Sequence, residues 1–234
     1  MDKKNLILKK LDEDVRFHEA LSACMNCGIC TAICPAAEFY KYDPRAICNI
    51  VQMGNVDEIE DLLKSDTIWY CGQCMSCKTR CPRGNTPGML ITVLRKVSQE
   101  LGYFTESEKG RQQFAIEQIV GKNIVNFGYC VHPDIVEPFM HPEQGPVWKW
   151  FRKNIESVAP RFGAVYHQEK AGALRKVDDN SIDEIRRIFE VSGGNELFDT
   201  IEKFSEQKAS EYHQNADHDY LMKVYTDNSG EHSK

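Results

Sequence analysis

Eight of the ten cysteines in this chain form two copies of one motif, and nine of the ten lie before residue 82. Residues 24–35 follow the pattern Cys-x2-Cys-x2-Cys-x3-Cys-Pro, and residues 71–82 repeat it 47 positions later. This is the spacing by which bacterial ferredoxins bind iron–sulfur clusters, with the fourth cysteine of each copy reaching the other cluster. Three cysteines spaced by two residues in a tight loop can surround one face of a cubane, and the proline removes an N–H donor where each loop ends.

The spacing therefore predicts two [4Fe–4S] clusters. The predicted ligands are Cys24, Cys27, Cys30 and Cys81 for cluster 1, and Cys71, Cys74, Cys77 and Cys34 for cluster 2. Zinc is the alternative for clustered cysteines. A structural zinc ion takes four ligands, usually from two short pairs, so two tetrads that each contain a third close cysteine disfavour it.

Composition and charge are those of an ordinary globular protein. Of the 234 residues, 41% are hydrophobic and 27% charged, and the net charge is −6. An acidic chain of this kind lacks the basic surface that nucleic-acid binding requires. The apolar run near the N-terminus, Leu6–Leu8, is too short for a signal peptide, and no run approaches the ~20 residues of a membrane-spanning helix. We expect a cytoplasmic protein with reduced, metal-binding thiols and no membrane span of its own, any membrane association being made through partners.

The segments around the two motifs are predicted to be helical. Asp43 and Pro44 begin a helix that ends at Gly54, and Asn55 begins a second helix. A third follows Pro87 and stops at Gly102, with an apolar face formed by Met89, Leu90, Val93, Leu94, Val97 and Leu101. Residues 1–102 contain no alternation with a period of two long enough for a convincing strand. The cluster domain is therefore predicted to be all-α.

These features together resemble the two-cluster iron–sulfur subunit of heterodisulfide reductase, its C-type component. The resemblance is carried by the two cysteine tetrads, by the segments 42–45 (Tyr-Asp-Pro-Arg) and 69–70 (Trp-Tyr), and by the helix after Pro82. It covers roughly residues 15–105 and implies an α-helical ferredoxin fold with the eight motif cysteines as ligands. It further implies a hetero-oligomer in which this protein carries electrons between an A-like flavoprotein and a B-like disulfide-active protein. The length beyond residue 105 resembles the version found in bacterial sulfur-oxidising complexes, which links the chain to sulfur metabolism.

Absent motifs favour a relay over a catalyst. The sequence contains no adjacent Cys-Cys pair, no G-x-G-x-x-G and no Walker loop. With eight thiols used as ligands, no reactive dithiol remains, so we expect no catalytic residue and no substrate site on this chain. The alternative function is the iron–sulfur subunit of a membrane-anchored dehydrogenase that passes electrons to quinone. A purely structural or sensing cluster protein is disfavoured, because two adjacent clusters suggest an electron path.

Three domains are predicted: the cluster domain at 1–104, a mostly helical partner-docking extension at 105–213, and a mobile polar tail at 214–234. Within the extension, residues 105–127, 181–190 and 195–212 have helical patterns. Cys48 is predicted to be a buried core residue. Cys130 is placed in a loop with His132 and His141 nearby, where a third metal site would need four convergent ligands and is disfavoured. Cations after the second motif are hypothesised to raise the potential of cluster 2 unless they are merely solvated: Lys78, Arg80 and Arg83.

Overall fold

A computed structural model of the chain describes residues 3–139, 141 and 144–230. Helices make up its regular structure, and no β-strand occurs among these residues, which confirms the all-α prediction. The chain divides into two compact units. Unit 1 comprises Met1–Gln113 with Thr226–Lys234, and unit 2 comprises Phe114–Tyr225.

Unit 1 contains eight helices and part of a ninth among its described residues. They are α1 Lys3–Glu13, α2 Val15–Ala20, α3 Ile29–Ala32, α4 Pro35–Phe39, α5 Pro44–Met53, α6 Val56–Lys64, α7 Ser76–Arg80, α8 Pro87–Glu100 and the start of α9 Glu108–Ile116. Short 3-10 turns at Asp66–Tyr70 and Tyr103–Glu106 connect some of them.

The three helices predicted around the motifs are confirmed with their caps. The Asp43 carboxylate accepts hydrogen bonds from the backbone N–H groups of Arg45 and Ala46, and α5 ends at Gly54 in the left-handed region (φ 69°). The Asn55 side chain accepts from the Asp57 N–H at the start of α6. Helix α8 begins with Pro87 and ends before Gly102. Local capping chemistry therefore determines where these helices begin and end.

The core of unit 1 is built around α8. Its apolar side chains are fully buried and pack with α1, α2, α5 and α6: Leu90, Ile91, Val93, Leu94 and Val97. Cys48 lies in the same core with 1% of its surface exposed, as predicted. Ser98 on α8 donates its hydroxyl to the Leu63 carbonyl (2.7 Å), which satisfies a buried polar group. The two cysteine motifs are thus attached to a helical core that shares one central helix.

Asn85 ties the start of α8 to the first cysteine loop. Its side-chain oxygen accepts from the Ser22 N–H (3.0 Å), and its amide group donates to the Ala23 carbonyl (3.0 Å). Asn85 is itself buried. A single side chain therefore fixes the residues just before Cys24 against the segment that follows Cys81.

Unit 2 is also helical where it is described. A π-helical turn at Glu117–Gly121 follows α9, and the further helices are α10 Lys122–Phe127, α11 Gly145–Lys153, α12 Ile155–Val158, α13 Asp179–Ser192, α14 Gly194–Glu211 and α15 His218–Thr226. Helices α13 and α14 confirm the two patterns predicted at 181–190 and 195–212. The single helix predicted over 105–127 is instead three consecutive helical segments preceded by the 3-10 turn, because the chain widens into the π turn at Glu117.

The domain boundaries differ from those predicted from sequence. Unit 1 extends to residue 113 rather than 104, because the returning C-terminal segment binds residues 108–112. The Arg111 guanidinium pairs with the Asp227 carboxylate (3.3 Å), and the Gly230 N–H donates to the Glu108 carboxylate (2.7 Å). The segment predicted as a mobile polar tail contains α15, whose Tyr220 and Val224 side chains are buried. Residues 231–234 lie outside the described part of the chain.

No helix in the described ranges is both long and apolar enough to cross a lipid bilayer.

We expect Asn85→Ala to destabilise unit 1 by about 2 kcal/mol, because it leaves the buried Ser22 N–H and Ala23 carbonyl without their partner. Denaturant unfolding under anaerobic conditions, followed by far-UV circular dichroism, measures this. Asn215→Ala, at an exposed position of unit 2, serves as the control and should unfold like the wild type. Equal midpoints for both variants and the wild type would contradict the role given to Asn85.

A second prediction concerns Glu117, which is 2% exposed. Burial raises the pKa of its carboxyl to about 7 against the nearby Lys122 ammonium, which acts in the opposite direction. Since the folded protein then binds this proton more tightly than the unfolded chain, the free energy of unfolding should fall as pH rises from about 4.5 to about 7.

Glu117→Gln removes the cost of the buried charge and should stabilise unit 2 by about 2 kcal/mol at pH values above the raised pKa, and by less below pH 5. Denaturant midpoints measured across this pH range test it. The exposed Glu190→Gln variant should show no pH-dependent difference. A pH-independent effect of Glu117→Gln would refute the buried titration.

Candidate iron–sulfur site

The two cysteine motifs have the same local structure. The third cysteine of each lies in a short helix, Cys30 in α3 and Cys77 in α7, and these two helices pack against each other. The first two cysteines of each motif lie in the preceding loop, and the fourth follows the short helix. Cys34 is also the N-cap residue of α4, whereas Cys81 is followed by a turn. The sequence repeat is therefore a structural repeat through the third cysteine.

Left-handed backbone positions also repeat between the two loops. Asn26 and Gly28 have φ values of 58° and 79°, and the residues 47 positions later, Gln73 and Met75, have φ values of 52° and 58°. A left-handed conformation costs a residue other than glycine roughly 1–2 kcal/mol. Three strained residues in two equivalent loops indicate that tertiary contacts or a bound group hold each loop curled.

Cysteines from both motifs line one cavity of about 110 Å³. Its walls include all four predicted ligands of cluster 2, Cys34, Cys71, Cys74 and Cys77, together with Cys30 and Tyr42. The fourth cysteine of the first motif is thus brought to the first three cysteines of the second motif.

The predicted ligands of cluster 1 are related through Cys48. Burial raises the pKa of the Cys48 thiol, and four cysteines near it raise it further: Cys24, Cys30, Cys77 and Cys81. Cys81 from the second motif and two cysteines of the first therefore lie around the same buried thiol. Cys27, the remaining predicted ligand of cluster 1, is exposed.

Backbone N–H groups point at cysteine sulfurs of the second motif. The Gly88 N–H donates to Cys77 Sγ (3.3 Å), and the Gln73 N–H donates to Cys71 Sγ (3.4 Å). Gly88 lies in the first turn of α8, where N–H groups have no partner within the helix, and a Cβ atom there would come within 3.0 Å of Met75 Sδ. A hydrogen bond with Ser76 lowers the pKa of Cys74. These contacts stabilise thiolates, the form in which cysteine binds metal.

Side chains of α5 hold the first loop in place. The Gln52 side chain bonds both the N–H and the carbonyl of Cys24, and the Asn49 amide donates to the Asn26 side chain (2.9 Å). The Thr31 hydroxyl donates to Asp43 (2.5 Å), which joins α3 to the N-terminus of α5. The pKa of Asp43 is lowered by these bonds in spite of its burial.

Three buried polar atoms around the site have no nitrogen or oxygen partner in the described part of the chain: Tyr42 Oη, Arg45 Nε and Trp69 Nε1. Burial raises the pKa of Tyr42, and the neighbouring Cys71 and Cys34 thiolates raise it further. Buried donors of this kind normally find an acceptor, and the sulfurs of an iron–sulfur cluster accept hydrogen bonds. All three residues belong to the segments 42–45 and 69–70 noted in the sequence.

Arg95 is a functional residue that sequence reasoning missed. Its guanidinium donates to the Ile68 carbonyl (2.7 Å) and to the Cys71 carbonyl (2.6 Å), and it lies over the Trp69 ring. Burial lowers its pKa while the Cys71 thiolate opposes the shift, and arginine stays charged. The cations proposed from the sequence, Lys78, Arg80 and Arg83, are instead exposed. The only available signal for Arg95 was a cation within the apolar stripe of α8.

The arrangement of the sulfurs does not fit a mononuclear zinc site. Tetrahedral zinc with Zn–S bonds of about 2.3 Å requires sulfurs about 3.8 Å apart. No three cysteine sulfurs in the described ranges, which include all ten cysteines, lie within 4.8 Å of one another. A cubane holds its ligands farther apart, so the cysteines fit a cluster.

Cys130 takes no part in a metal-binding group. It is exposed, and His132 groups with Asp134 and His167 rather than with Cys130 or His141. The sequence expectation that no metal site forms around Cys130 agrees with this placement, but sequence reasoning did not connect His132 with the other two residues.

Comparison with known proteins supports the cluster assignment. Residues 20–85 match the family described as 4Fe-4S dicluster domain. The chain is similar to the C subunit of ferredoxin:CoB-CoM heterodisulfide reductase from Methanosarcina acetivorans, with 31% identity over 150 residues that cover 61% of this chain and 54% of the relative. It is also similar to the iron–sulfur C subunit of CoB–CoM heterodisulfide reductase from Methanopyrus kandleri, with 34% identity over 98 residues (42% of this chain and 50% of the relative).

A third relative, the iron–sulfur C2 subunit of CoB–CoM heterodisulfide reductase from Methanocaldococcus jannaschii, is 29% identical over 153 residues, or 63% of this chain and 74% of the relative. The chain thus spans about half the length of the first two relatives. Alignments that cover more than 60% of this chain also reach past residue 105, so the similarity is longer than the 15–105 range noted from sequence. The chain belongs to the family of heterodisulfide reductase C subunits and carries two [4Fe–4S] clusters in a dicluster domain.

Proposed function

We propose that this chain is the electron-transfer subunit of a heterodisulfide reductase-like complex. It relays single electrons between an A-like flavoprotein and a B-like disulfide-active protein. The observation that carries the proposal is the cavity that brings Cys34 of the first motif to Cys71, Cys74 and Cys77 of the second. Ligands exchanged between two motifs keep two clusters close together, as an electron path requires.

The proposed ligands are those predicted from the motif. Cluster 1 is bound by Cys24, Cys27, Cys30 and Cys81, and cluster 2 by Cys71, Cys74, Cys77 and Cys34. A bound [4Fe–4S] cluster supplies one-electron redox chemistry. The chain holds the thiolates, donates N–H groups to them, and places Tyr42 and Arg95 beside Cys71.

The chain is proposed to be non-catalytic. With the eight motif cysteines bound to iron, Cys48 and Cys130 remain. Cys48 is buried and its raised pKa keeps it a neutral thiol, which is a poor nucleophile. Disulfide chemistry is therefore assigned to the B-like partner.

Exposed apolar side chains near the first motif support a partner surface. Met25 lies inside the motif and is 61% exposed, and Met53, next to the Gln52 that binds Cys24, is 78% exposed. Hydrophobic side chains left exposed together are typical of protein contacts. A partner docked here would come close to the cluster 1 cysteines.

The relatives favour a disulfide-active partner over the quinone-linked alternative, since their names are those of heterodisulfide reductase subunits. The ten free thiols support work in a reducing compartment such as the cytoplasm. Oxidation of sulfur compounds is the second proposed setting, supported by the sequence resemblance to bacterial complexes. The direction of electron flow in the purified complex tests it.

The ligand assignment predicts which cysteine substitutions act together. The anaerobically purified chain should contain about eight iron and about eight sulfide ions. Cys34→Ser and Cys71→Ser should alter the same cluster signal in the electron paramagnetic resonance spectrum of the reduced protein. Cys81→Ser and Cys24→Ser should alter the other signal.

Cys130→Ser is the matched control, because this cysteine is exposed and belongs to neither motif. It should leave both signals and the iron content unchanged. If Cys34→Ser changed the same signal as Cys24→Ser, the exchange of the fourth cysteines would be disproved. About four iron ions in the wild-type chain would remove the relay itself.

Arg95 should raise the potential of cluster 2, because a buried cation stabilises the more negative, reduced cluster. We expect Arg95→Gln to lower one of the two midpoint potentials by roughly 50 mV, close to a tenfold change in a one-electron equilibrium. A redox titration followed by electron paramagnetic resonance measures both midpoints.

Arg80→Gln serves as the comparison for the same change of charge at an exposed position. Solvent screens exposed charges, so this variant should shift the same midpoint by much less. A larger shift for Arg80→Gln than for Arg95→Gln would favour the exposed cations named from sequence.

A further inference from the structure

Two histidines and an aspartate of unit 2 converge on one point. The ligand atoms of His132, Asp134 and His167 all lie within 4.8 Å of one another. His167 Nε2 is 2.5 Å from Asp134 Oδ2, and His132 Nδ1 is 3.4 Å from the same oxygen. Both imidazoles therefore face a single carboxylate oxygen.

The other carboxylate oxygen has its own partner. The Tyr166 hydroxyl donates to Asp134 Oδ1 (2.5 Å), which leaves Oδ2 directed at the histidines. This is the arrangement of a carboxylate that binds a metal ion through one oxygen while a neighbouring donor fixes its orientation.

Hydrogen bonding alone does not account for His132. Its ring is 5% exposed, and Nδ1 has only long contacts, 3.4 Å to Asp134 Oδ2 and 3.4 Å to the Asp134 N–H. The ring also bonds the backbone of Leu174, whose carbonyl accepts from the His167 N–H (3.0 Å). A histidine held through one ring nitrogen presents the other to a metal ion.

The backbone that carries these residues is held rigidly. Arg152 of α11 donates to the carbonyls of Pro133 and Asp134 (both 2.7 Å), and the same guanidinium pairs with the Glu137 carboxylate through two hydrogen bonds. His167 has a left-handed backbone (φ 54°), an unfavourable conformation for histidine that turns its side chain toward Asp134. The three side chains are therefore positioned by contacts outside the group.

The group opens onto a cavity of about 340 Å³ within unit 2. All three residues line it, and its remaining walls come from the end of α10, the start of α13 and the segment 175–177. A metal ion bound by three side chains would have a further coordination position available on the cavity side.

We propose that His132, Asp134 and His167 bind one zinc ion, through one nitrogen of each imidazole and one carboxylate oxygen, with a fourth position open to the cavity. Two nitrogens and one oxygen are a donor set that zinc uses when three protein ligands leave a position for water or substrate. Among the common first-row divalent ions, zinc also binds such donors more tightly than manganese or ferrous iron. The site is separate from the cysteine motifs and does not depend on the proposed electron relay.

Zinc retention by the full-length, cluster-loaded protein tests the proposal. The anaerobic protein is incubated with zinc chloride and desalted, and zinc and iron are measured together by mass spectrometry. Wild type should retain about one zinc ion per chain. Asp134→Asn, which keeps the side-chain size, and His167→Ala, at an exposed position, should each lower zinc retention at least tenfold while iron stays constant.

His213→Ala is the matched control, because this histidine is exposed, also has a left-handed backbone, and lies outside the group. It should retain zinc like the wild type. No retention by the wild type would overturn the proposal, and so would equal retention by Asp134→Asn and His167→Ala, which would assign the zinc to cysteines or to the surface. Far-UV circular dichroism of both variants shows whether the fold is kept, and two independent substitutions guard against the unfolding of one.

Discussion

The packing of α3 against α7 is the contact on which the cluster-binding unit depends. Each of these short helices carries the third cysteine of its motif and ends beside the fourth. When they meet, Cys34 comes to the cysteines of the second motif, and Cys81 shares the surroundings of Cys48 with Cys24 and Cys30. Each motif by itself supplies three nearby ligands, so neither loop can complete a cluster site without the other.

Helix α8 turns this contact into a stable structure. Its apolar face lies in the core, while its polar residues reach the cysteine loops: Asn85 just before it binds the first loop, and Gly88 and Arg95 bind the second. The loops also contain strained left-handed residues, whose cost the core and the bound clusters must offset. The same helix that stabilises the unit therefore also positions the thiolates and places one buried positive charge beside Cys71.

Unit 2 uses a different chemistry from unit 1. Its conspicuous polar group contains imidazoles and a carboxylate, which bind a single hard or borderline ion, whereas the thiolates of unit 1 suit iron–sulfur clusters. Arg152, Tyr166 and Leu174 hold that group in the way that α5 and α8 hold the cysteine loops. In both units, side chains that contact no bound group directly set the geometry of those that would.

The sequence by itself determined the features that depend on local chemistry. The cysteine spacing predicted two clusters, and Asp43, Pro44, Asn55 and Gly54 predicted helix ends, because capping and motif spacing act within a few residues. Cys48 could be placed in the core from its helical stripe. The tertiary structure alone decided what depends on residues far apart in the chain. Arg95 reaches Cys71 across 24 positions and His167 reaches Asp134 across 33, and no periodicity records such distances. The same holds for the return of Asp227 to Arg111, since the free energy of that pairing comes from contacts that form only when both segments are folded.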